Sequence, residues 1–375
     1  MSIIPVNEPL MPGREMEYVA DCIATGWISS AGKYIDRFEN EWAAYCGRKF
    51  GVAVCNGTAA LELALSALDI PAGREVILPS FTIVSCLEAV IRNNLIPVLV
   101  DCDPQTYCMD IADVRRKISP KTAVVMPVHI YGHPVNMSEL LLLAQQFNLK
   151  VLEDTAEAHG AKCLVDNEWK RCGSFGDVSI FSFYANKIIT TGEGGMVLTD
   201  NPVIAAKLRE RRNLCFGVKE RFKHEDRGWN YRMTNIQAAM GCAQLERIDQ
   251  FLSRKLDMAA KYNQSLKGLP LQLPHEELWA KTSVWMYAVV LEDNIPFDAT
   301  EFARRLMARN IQTRPFFTGM HEQSVYRNLG FFHDVHCPVT DRISRRGLYL
   351  PSGQAITDTQ IESVCNAVRD VLSFS

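Results

Sequence analysis

Lys187 lies between two apolar runs, Val178–Phe183 and Met196–Leu198, and is followed by Gly192-Glu193-Gly194-Gly195. Glycines there let the backbone turn back tightly or close on a ligand. A lysine held in such a place becomes a nucleophile toward carbonyl carbon when desolvation or nearby cations lower its pKa. Two further stretches bear on the same chemistry. Asp154 ends the run Lys150–Glu153, and Asn56-Gly57-Thr58 turns the run Phe50–Cys55 into a helix. A strand–turn–helix junction presents N–H groups and the positive end of a helix dipole, which suits a phosphate. Most such turns bind nothing, so this signal counts only in company. Together the three pieces match the needs of pyridoxal 5′-phosphate: a lysine for its aldehyde, a carboxylate for its ring nitrogen and a cup for its phosphate. In this reading Lys187 forms a Schiff base with the cofactor. Asp154 stays ionised and keeps the ring nitrogen protonated. Gly57, Thr58 and Ala59, with the Ser182 hydroxyl, form the phosphate cup. Lys187, once displaced by an amino donor, moves the proton as general acid and base.

These residues must be placed by strands and helices in alternation. Short apolar runs at 50–55, 75–78, 95–100, 123–129, 150–154 and 178–183 read as strands, and 15–25, 33–45, 59–68, 137–147 and 202–212 as helices. The alternation predicts an α/β fold: a three-layer α/β/α large domain with a mostly parallel sheet and ligands at the carboxyl ends of its strands. Pro79-Ser80-Phe81-Thr82 is expected to open a helix. A single long helix is expected over 235–266, joining the two domains. The texture after Gly268 becomes α+β, which predicts a large domain over 1–250 and a smaller one over 251–375. Residues 1–15, with three prolines, read as an extended arm lying on a partner subunit or loose, and 215–229 as a loop. Trp27 reads equally as core or as a wall of the substrate cleft.

Composition narrows the class. The chain has 375 residues, 47% hydrophobic and 22% charged, with net charge -3. Nothing in that balance favours nucleic-acid or anionic-membrane binding. No apolar run reaches membrane-spanning length, and the start lacks the basic and apolar regions of a signal peptide. Twelve scattered cysteines without a C-x-x-C pair read as reduced thiols of a cytoplasmic enzyme, with no zinc site.

Several motifs carry a resemblance. They are Asn56-Gly57-Thr58-Ala59-Ala60-Leu61, Glu153-Asp154-Thr155-Ala156-Glu157-Ala158-His159-Gly160, Phe181-Ser182-Phe183 with Lys187 and Gly192–Gly195, and Asn230-Tyr231-Arg232-Met233-Thr234. With Gly26-Trp27-Ile28-Ser29 they resemble the DegT/DnrJ/StrS sugar aminotransferases from about residue 5 onward. Trp27–Ser30, Val128-His129 with Tyr131-Gly132, and the Lys187 stretch are similar to the perosamine synthases within that family. The resemblance implies the aspartate-aminotransferase fold (type I) and a homodimer with shared active sites. It places Thr58, Ala59 and Ser182 at the phosphate, Asp154 at the ring nitrogen, Glu157 near the ring hydroxyl and Lys187 at the aldehyde. Asn230 reaches the cofactor phosphate of the neighbouring subunit. The implied reaction is ping-pong, with L-glutamate leaving as 2-oxoglutarate and a keto sugar taking the nitrogen. Ile83 stands where relatives carry a ring-stacking aromatic, so the cofactor meets an apolar but not aromatic face. Trp27, Ser29, His129, Arg314 and His321 are the candidate sugar-site residues. Arg314 reads as a contact for a carboxylate or phosphate, or as a surface ion-pair partner.

The expected acceptor is a nucleotide-linked 4-keto-6-deoxyhexose destined for a surface glycan or lipopolysaccharide. The alternative is a non-nucleotide keto sugar such as an 8-keto-3,8-dideoxy-octulosonate. A dehydratase of the same fold replaces the lysine with histidine, which Lys187 argues against. A non-catalytic regulator would be expected to lose Lys187 or Asp154.

Overall fold

The computed structural model describes residues 3–216, 220–224 and 226–373. The apolar runs become β1 (Phe50–Val54), β2 (Glu75–Pro79), β3 (Ile96–Val100), β4 (Thr122–Val125) and β5 (Lys150–Asp154). A hairpin of β6 (Lys162–Val165) and β7 (Glu168–Arg171) follows, then β8 (Val178–Ser182) and β9 (Gly195–Thr199). Seven of these form one sheet, in the order β1-β9-β8-β5-β4-β2-β3. Neighbours from β8 through β3 are parallel, whereas β9 runs antiparallel to both β8 and β1. Every residue of β9 is buried, so the sheet is covered on both faces at this point, as a helix-flanked sheet must be. This is the α/β sheet with helices that the alternation predicts. Its consequence for function is directional: β1, β5 and β8 end on the same edge, where β9 begins.

The remaining strands lie in the last third. β10 (Leu271–Gln272), β12 (Tyr287–Leu291), β14 (Gly347–Leu350) and β13 (Arg314–Pro315) form a four-stranded antiparallel sheet, and β11 (Ala280–Lys281) extends the β6–β7 hairpin. That smaller sheet packs with the helices Ile248–Leu266, Ala299–Met307 and Asp358–Ser373 around a second core containing Tyr262, Tyr287, Phe302 and Val368. The segment 316–343 departs from it. Phe316, Met320, Tyr326 and Ile343 join the core of the large sheet instead.

Three expectations differ from the structure, and one element was not expected. The long helix is broken into Asn235–Leu245 and Ile248–Leu266, because Arg247 leaves the helical region at φ -119, ψ 9. Glu246, beside the break, accepts from the Tyr18 hydroxyl at 2.6 Å and from Arg37 at 2.8 Å. The helix after β2 starts at Val84, with Ile83 as its extended N-cap, so Pro79–Thr82 precede it. The N-terminal arm is pinned to its own chain: Ile4 bridges Ile311, and Ser352 N–H donates to the Val6 carbonyl at 3.0 Å. The β6–β7 hairpin was not foreseen. Its turn residues Asp166 and Asn167 take φ of 53° and 62°, the left-handed pair that such a tight turn requires. In the loop expected over 215–229, positions 217–219 and 225 lie outside the described residues.

Lys255, on the second half of the broken helix, is buried, and its Nζ donates to the Trp285 carbonyl at 2.7 Å and to the Ser352 carbonyl. Burial pushes this amine down to about 7. An unfolded chain keeps the proton to about pH 10.4. The unfolded state therefore binds more protons between about pH 7 and 10, and stability rises with pH through that window by at most about 1.4 kcal/mol per unit. Urea midpoints measured at pH 7, 8 and 9 are expected to climb in the natural protein relative to Lys255→Met. Parallel profiles would contradict this.

Candidate active site

At the shared strand edge a cleft of about 470 Å³ opens, and Gly57, Thr58, Ile83, Asp154, Glu157, Ser182 and Lys187 all line it. Asp154 closes β5 and is almost fully buried. Its Oδ1 accepts the Ala156 N–H at 2.9 Å and its Oδ2 the Cys86 thiol at 3.1 Å. Glu157, also buried, accepts the Tyr131 N–H at 2.8 Å. That contact holds Tyr131 at φ 51°, a left-handed conformation that is costly for a bulky residue.

Lys187 keeps part of its surface open to the cleft, and its Nζ lies 3.7 Å from the centre of the Trp285 ring. Burial lowers its pKa, while the charges of Glu157 and Asp154 pull the other way. The two carboxyls show the mirror image. Burial raises both, and the Lys187 charge restrains the rise. The cleft therefore holds an amine and two carboxyls whose proton affinities are brought closer together than in water.

At the other end lies the helix Gly57–Ala67, capped by the Asn56 side chain. The amides of Gly57 and Thr58, in its first turn, have no intrahelical acceptor. A Cβ on Gly57 would stand 2.8 Å from Cβ of Ser182, so only glycine lets β8 and this helix end come together. Gly195 serves the same corner: a Cβ there would meet the Asn56 carbonyl at 2.4 Å. The Thr58 and Ser85 hydroxyls are 2.8 Å apart. Ala59 differs from expectation, since it is buried and its N–H is taken by Asn56 Oδ1 at 2.8 Å.

The candidate sugar-site residues do not gather here. His129 is fully buried, accepts the Val135 N–H at Nδ1 (2.9 Å) and therefore donates from Nε2 to Glu153 at 3.0 Å. It is a structural strut beneath β5, not a cleft residue. His321 is buried as well. Its Nε2 donates to Asp341 at 3.0 Å, and its Nδ1 accepts from the Ser80 hydroxyl at 2.7 Å, clasping segment 316–343 to the end of β2. Trp27 is 56% exposed and borders a separate hollow with Gly32 and Lys33. Ser29 is exposed, and its carbonyl accepts the Asn235 N–H at 2.6 Å. Arg314 is exposed at the register position opposite Tyr349, which does line the cleft. Asn230 is exposed and lies outside the cleft of its own chain.

Phe317, in the stretch Arg314–His321 expected to border the sugar site, lines the cleft, whereas Ser85, Tyr184, Asn186, Trp285 and Tyr349 escaped the sequence reading. Trp285 donates from its ring N–H to the Asn186 carbonyl at 2.8 Å, which ties the smaller sheet to the Lys187 loop. Ser85 and Cys86 had a local signal, small polar residues in the first turn of an apolar helix just after Ile83. Trp285 and Tyr349 had none, because only the return of the last third of the chain brings them in.

The model of the DegT/DnrJ/EryC1/StrS aminotransferase family matches residues 10–369. The chain belongs to this family. As an aminotransferase it is similar to the GDP-perosamine synthase of Vibrio cholerae, 39% identical over 98% of this chain and 99% of that one. It is also 40% identical to the GDP-perosamine synthase of Caulobacter vibrioides, over 98% of each. Among solved structures, DesI in the presence of its TDP-sugar product superposes with a TM-score of 0.90 at 30% identity, covering all of this chain and 94% of that one. Among the described residues, no helix of the aminotransferase is long and apolar enough to cross a membrane.

The clasp assigns His321 a purely structural load. His321→Ala is expected to lower stability by about 1–3 kcal/mol, by removing the acceptor of the Ser80 hydroxyl and the donor to Asp341. It is expected to leave KM for the amino acceptor within about twofold of the natural value, on the order of 0.4 kcal/mol. Urea unfolding and steady-state kinetics measure the two. A tenfold rise in KM without loss of stability would restore His321 to the substrate site.

Proposed function

We propose that the aminotransferase moves the amino group of L-glutamate to the carbonyl of a keto sugar, with pyridoxal 5′-phosphate as cofactor. The observation that carries the reading is the meeting of Lys187, Asp154 and the close Gly57–Ser182 approach in one cleft. The donor set fits that cofactor on chemical grounds. A helix start with unengaged amides beside a serine suits a phosphate, a buried carboxylate suits a cationic ring nitrogen, and an amine of lowered pKa suits an aldehyde.

Bound there, pyridoxal phosphate supplies an electron sink for the C–H bond beside the transferred nitrogen. The remaining work falls to the chain. Gly57, Thr58 and Ser182 bind the phosphate. Asp154, oriented by the Ala156 amide, holds the proton at the ring nitrogen. Glu157 faces the ring hydroxyl, and Ile83, 41% exposed at the cleft, gives the ring an apolar wall. Lys187 holds the aldehyde end and, once released, takes and returns the proton at the donor's Cα. Trp285 under its Nζ excludes water from one side.

The acceptor in this proposal is a nucleotide-linked 4-keto-6-deoxyhexose for a surface glycan. The names of the two curated relatives and the TDP-sugar structure support it. The working unit is a homodimer. Asn230, Trp27 and Ser29 lie exposed outside their own cleft, and Met16, Ile23, Trp27 and Ile28 present exposed apolar surface for a second copy. Asn230 then serves the neighbouring phosphate. The free cysteines suit a reducing cytoplasm.

Protein loaded with pyridoxal phosphate is expected to show a visible absorption band that L-glutamate removes and the matching keto sugar restores. A panel of nucleotide-linked and free keto sugars identifies the acceptor. Lys187→Ala is expected to lose turnover by on the order of 10³-fold or more. A protein that stays colourless with pyridoxal phosphate, or a Lys187→Ala variant that turns over normally, refutes the assignment.

A further inference from the structure

We propose that Cys86 is a positioning residue for transamination: its thiol donates to Oδ2 of Asp154 and, with the Ala156 amide on Oδ1, fixes which edge of that carboxylate faces the cleft. The inference rests on Asp154 being the group that meets the cofactor's ring nitrogen.

The direction of the contact follows from counting protons. Sγ of Cys86 is 3.1 Å from Asp154 Oδ2 and 3.3 Å from Thr82 Oγ1, and all three residues are buried. An ionised carboxylate accepts and cannot donate. The one proton on sulfur therefore points to Oδ2, and the Thr82 hydroxyl donates to sulfur. Burial beside the Asp154 charge pushes the thiol well above its ordinary range, so the proton stays on sulfur. The result is a one-way chain from Thr82 through Cys86 to Asp154. It engages Oδ2 while the Ala156 amide engages Oδ1, and the carboxylate so held lines the cleft.

The choice of sulfur matters. A thiol is a weak donor, so it orients the carboxylate while withdrawing little of its charge. A hydroxyl in its place would hold that charge more firmly and weaken the carboxylate's grip on a proton at the ring nitrogen. The same helix turn does more. Ile83 caps the helix and lines the cleft, and Ser85 meets the Thr58 hydroxyl. One turn of helix thus sets the ring wall, a phosphate-side hydroxyl and the carboxylate.

The test compares Cys86→Ser and Cys86→Ala with the natural protein. Isotope-edited infrared spectroscopy of the cofactor-free protein follows the Asp154 carboxylate band, identified by its loss in Asp154→Asn. The pH midpoint of that band is expected to fall in Cys86→Ser and rise in Cys86→Ala, each by roughly half to one unit. Cofactor-loaded Cys86→Ala is expected to lose about three- to tenfold in kcat for glutamate with KM unchanged, and Cys86→Ser to recover most of it. Equal midpoints in all three proteins overturn the proposal, as does a loss in the alanine variant that serine does not recover. The carboxylate titration needs no cofactor. Failure of the visible band with pyridoxal phosphate therefore strikes the cofactor reading, while equal midpoints strike the role of Cys86.

Discussion

An amine and two carboxyls are confined together where little water reaches them, and much of the surrounding structure serves that confinement. Separately, each would lose its charge to the cost of burial. Together, Lys187, Asp154 and Glu157 offset one another's cost and remain ready to exchange protons. The arrangement needs rigid walls, because attraction at low dielectric falls off with small displacements. The sheet supplies them. Asp154 is fixed by the end of β5, Ser182 by the end of β8, and Lys187 by a loop whose return strand β9 is buried throughout. Strain appears where the constraint is tightest, at Tyr131, whose amide must face Glu157.

The sheet and the cleft's floor were legible in the residues for a simple reason. Buried parallel strands read as apolar runs, and the residues that follow them fall at one edge. Gly57, Thr58, Asp154, Ser182 and Lys187 could thus be placed together from their positions after such runs, and Glu157 and Ile83 through resemblance. The walls were illegible for an equally physical reason. Trp285 and Tyr349 come from the last third of the chain, Tyr349 from the smaller sheet, and no local pattern encodes a contact between segments a hundred residues apart. His129 and His321 mark the opposite error. A polar ring near a strand end suggests chemistry, yet both have their two nitrogens engaged inside the protein, as most buried histidines must. The helix break at Arg247 was hidden too. No proline or glycine marks it, and its setting beside Tyr18 and Arg37 is a tertiary matter.

The two cores do not divide at one point in the sequence. Segment 316–343 leaves the smaller sheet and locks onto the large one through the Ser80–His321–Asp341 clasp and through Thr340, which donates to Asp101 at 2.7 Å. Trp285 reaches the Lys187 loop from the smaller sheet. With such ties on both sides of the cleft, relative motion of the two parts is restricted to what these polar bonds permit. That favours a site held in shape before its ligands arrive.

The pinned arm gives the chain an order of assembly. Ile4 lies against Ile311, Val6 N–H donates to the Gln312 side chain across 306 positions, and Ser352 N–H donates back to Val6. On a ribosome, Ile4 and Val6 meet Ile311, Gln312 and Ser352 only once those much later residues are out. Until then Ile4 and Val6 lack these partners, and the large sheet is free to form without them. Closing so long a loop costs only modestly more than closing a short one, since the penalty grows with the logarithm of length. The arm is therefore a late fastening, set after the cores exist. Asn7, which reaches the Asn186 carbonyl at 3.4 Å, carries that fastening to the edge of the cleft. Residues made some three hundred positions before their partners thus come to rest next to the lysine on which the chemistry turns.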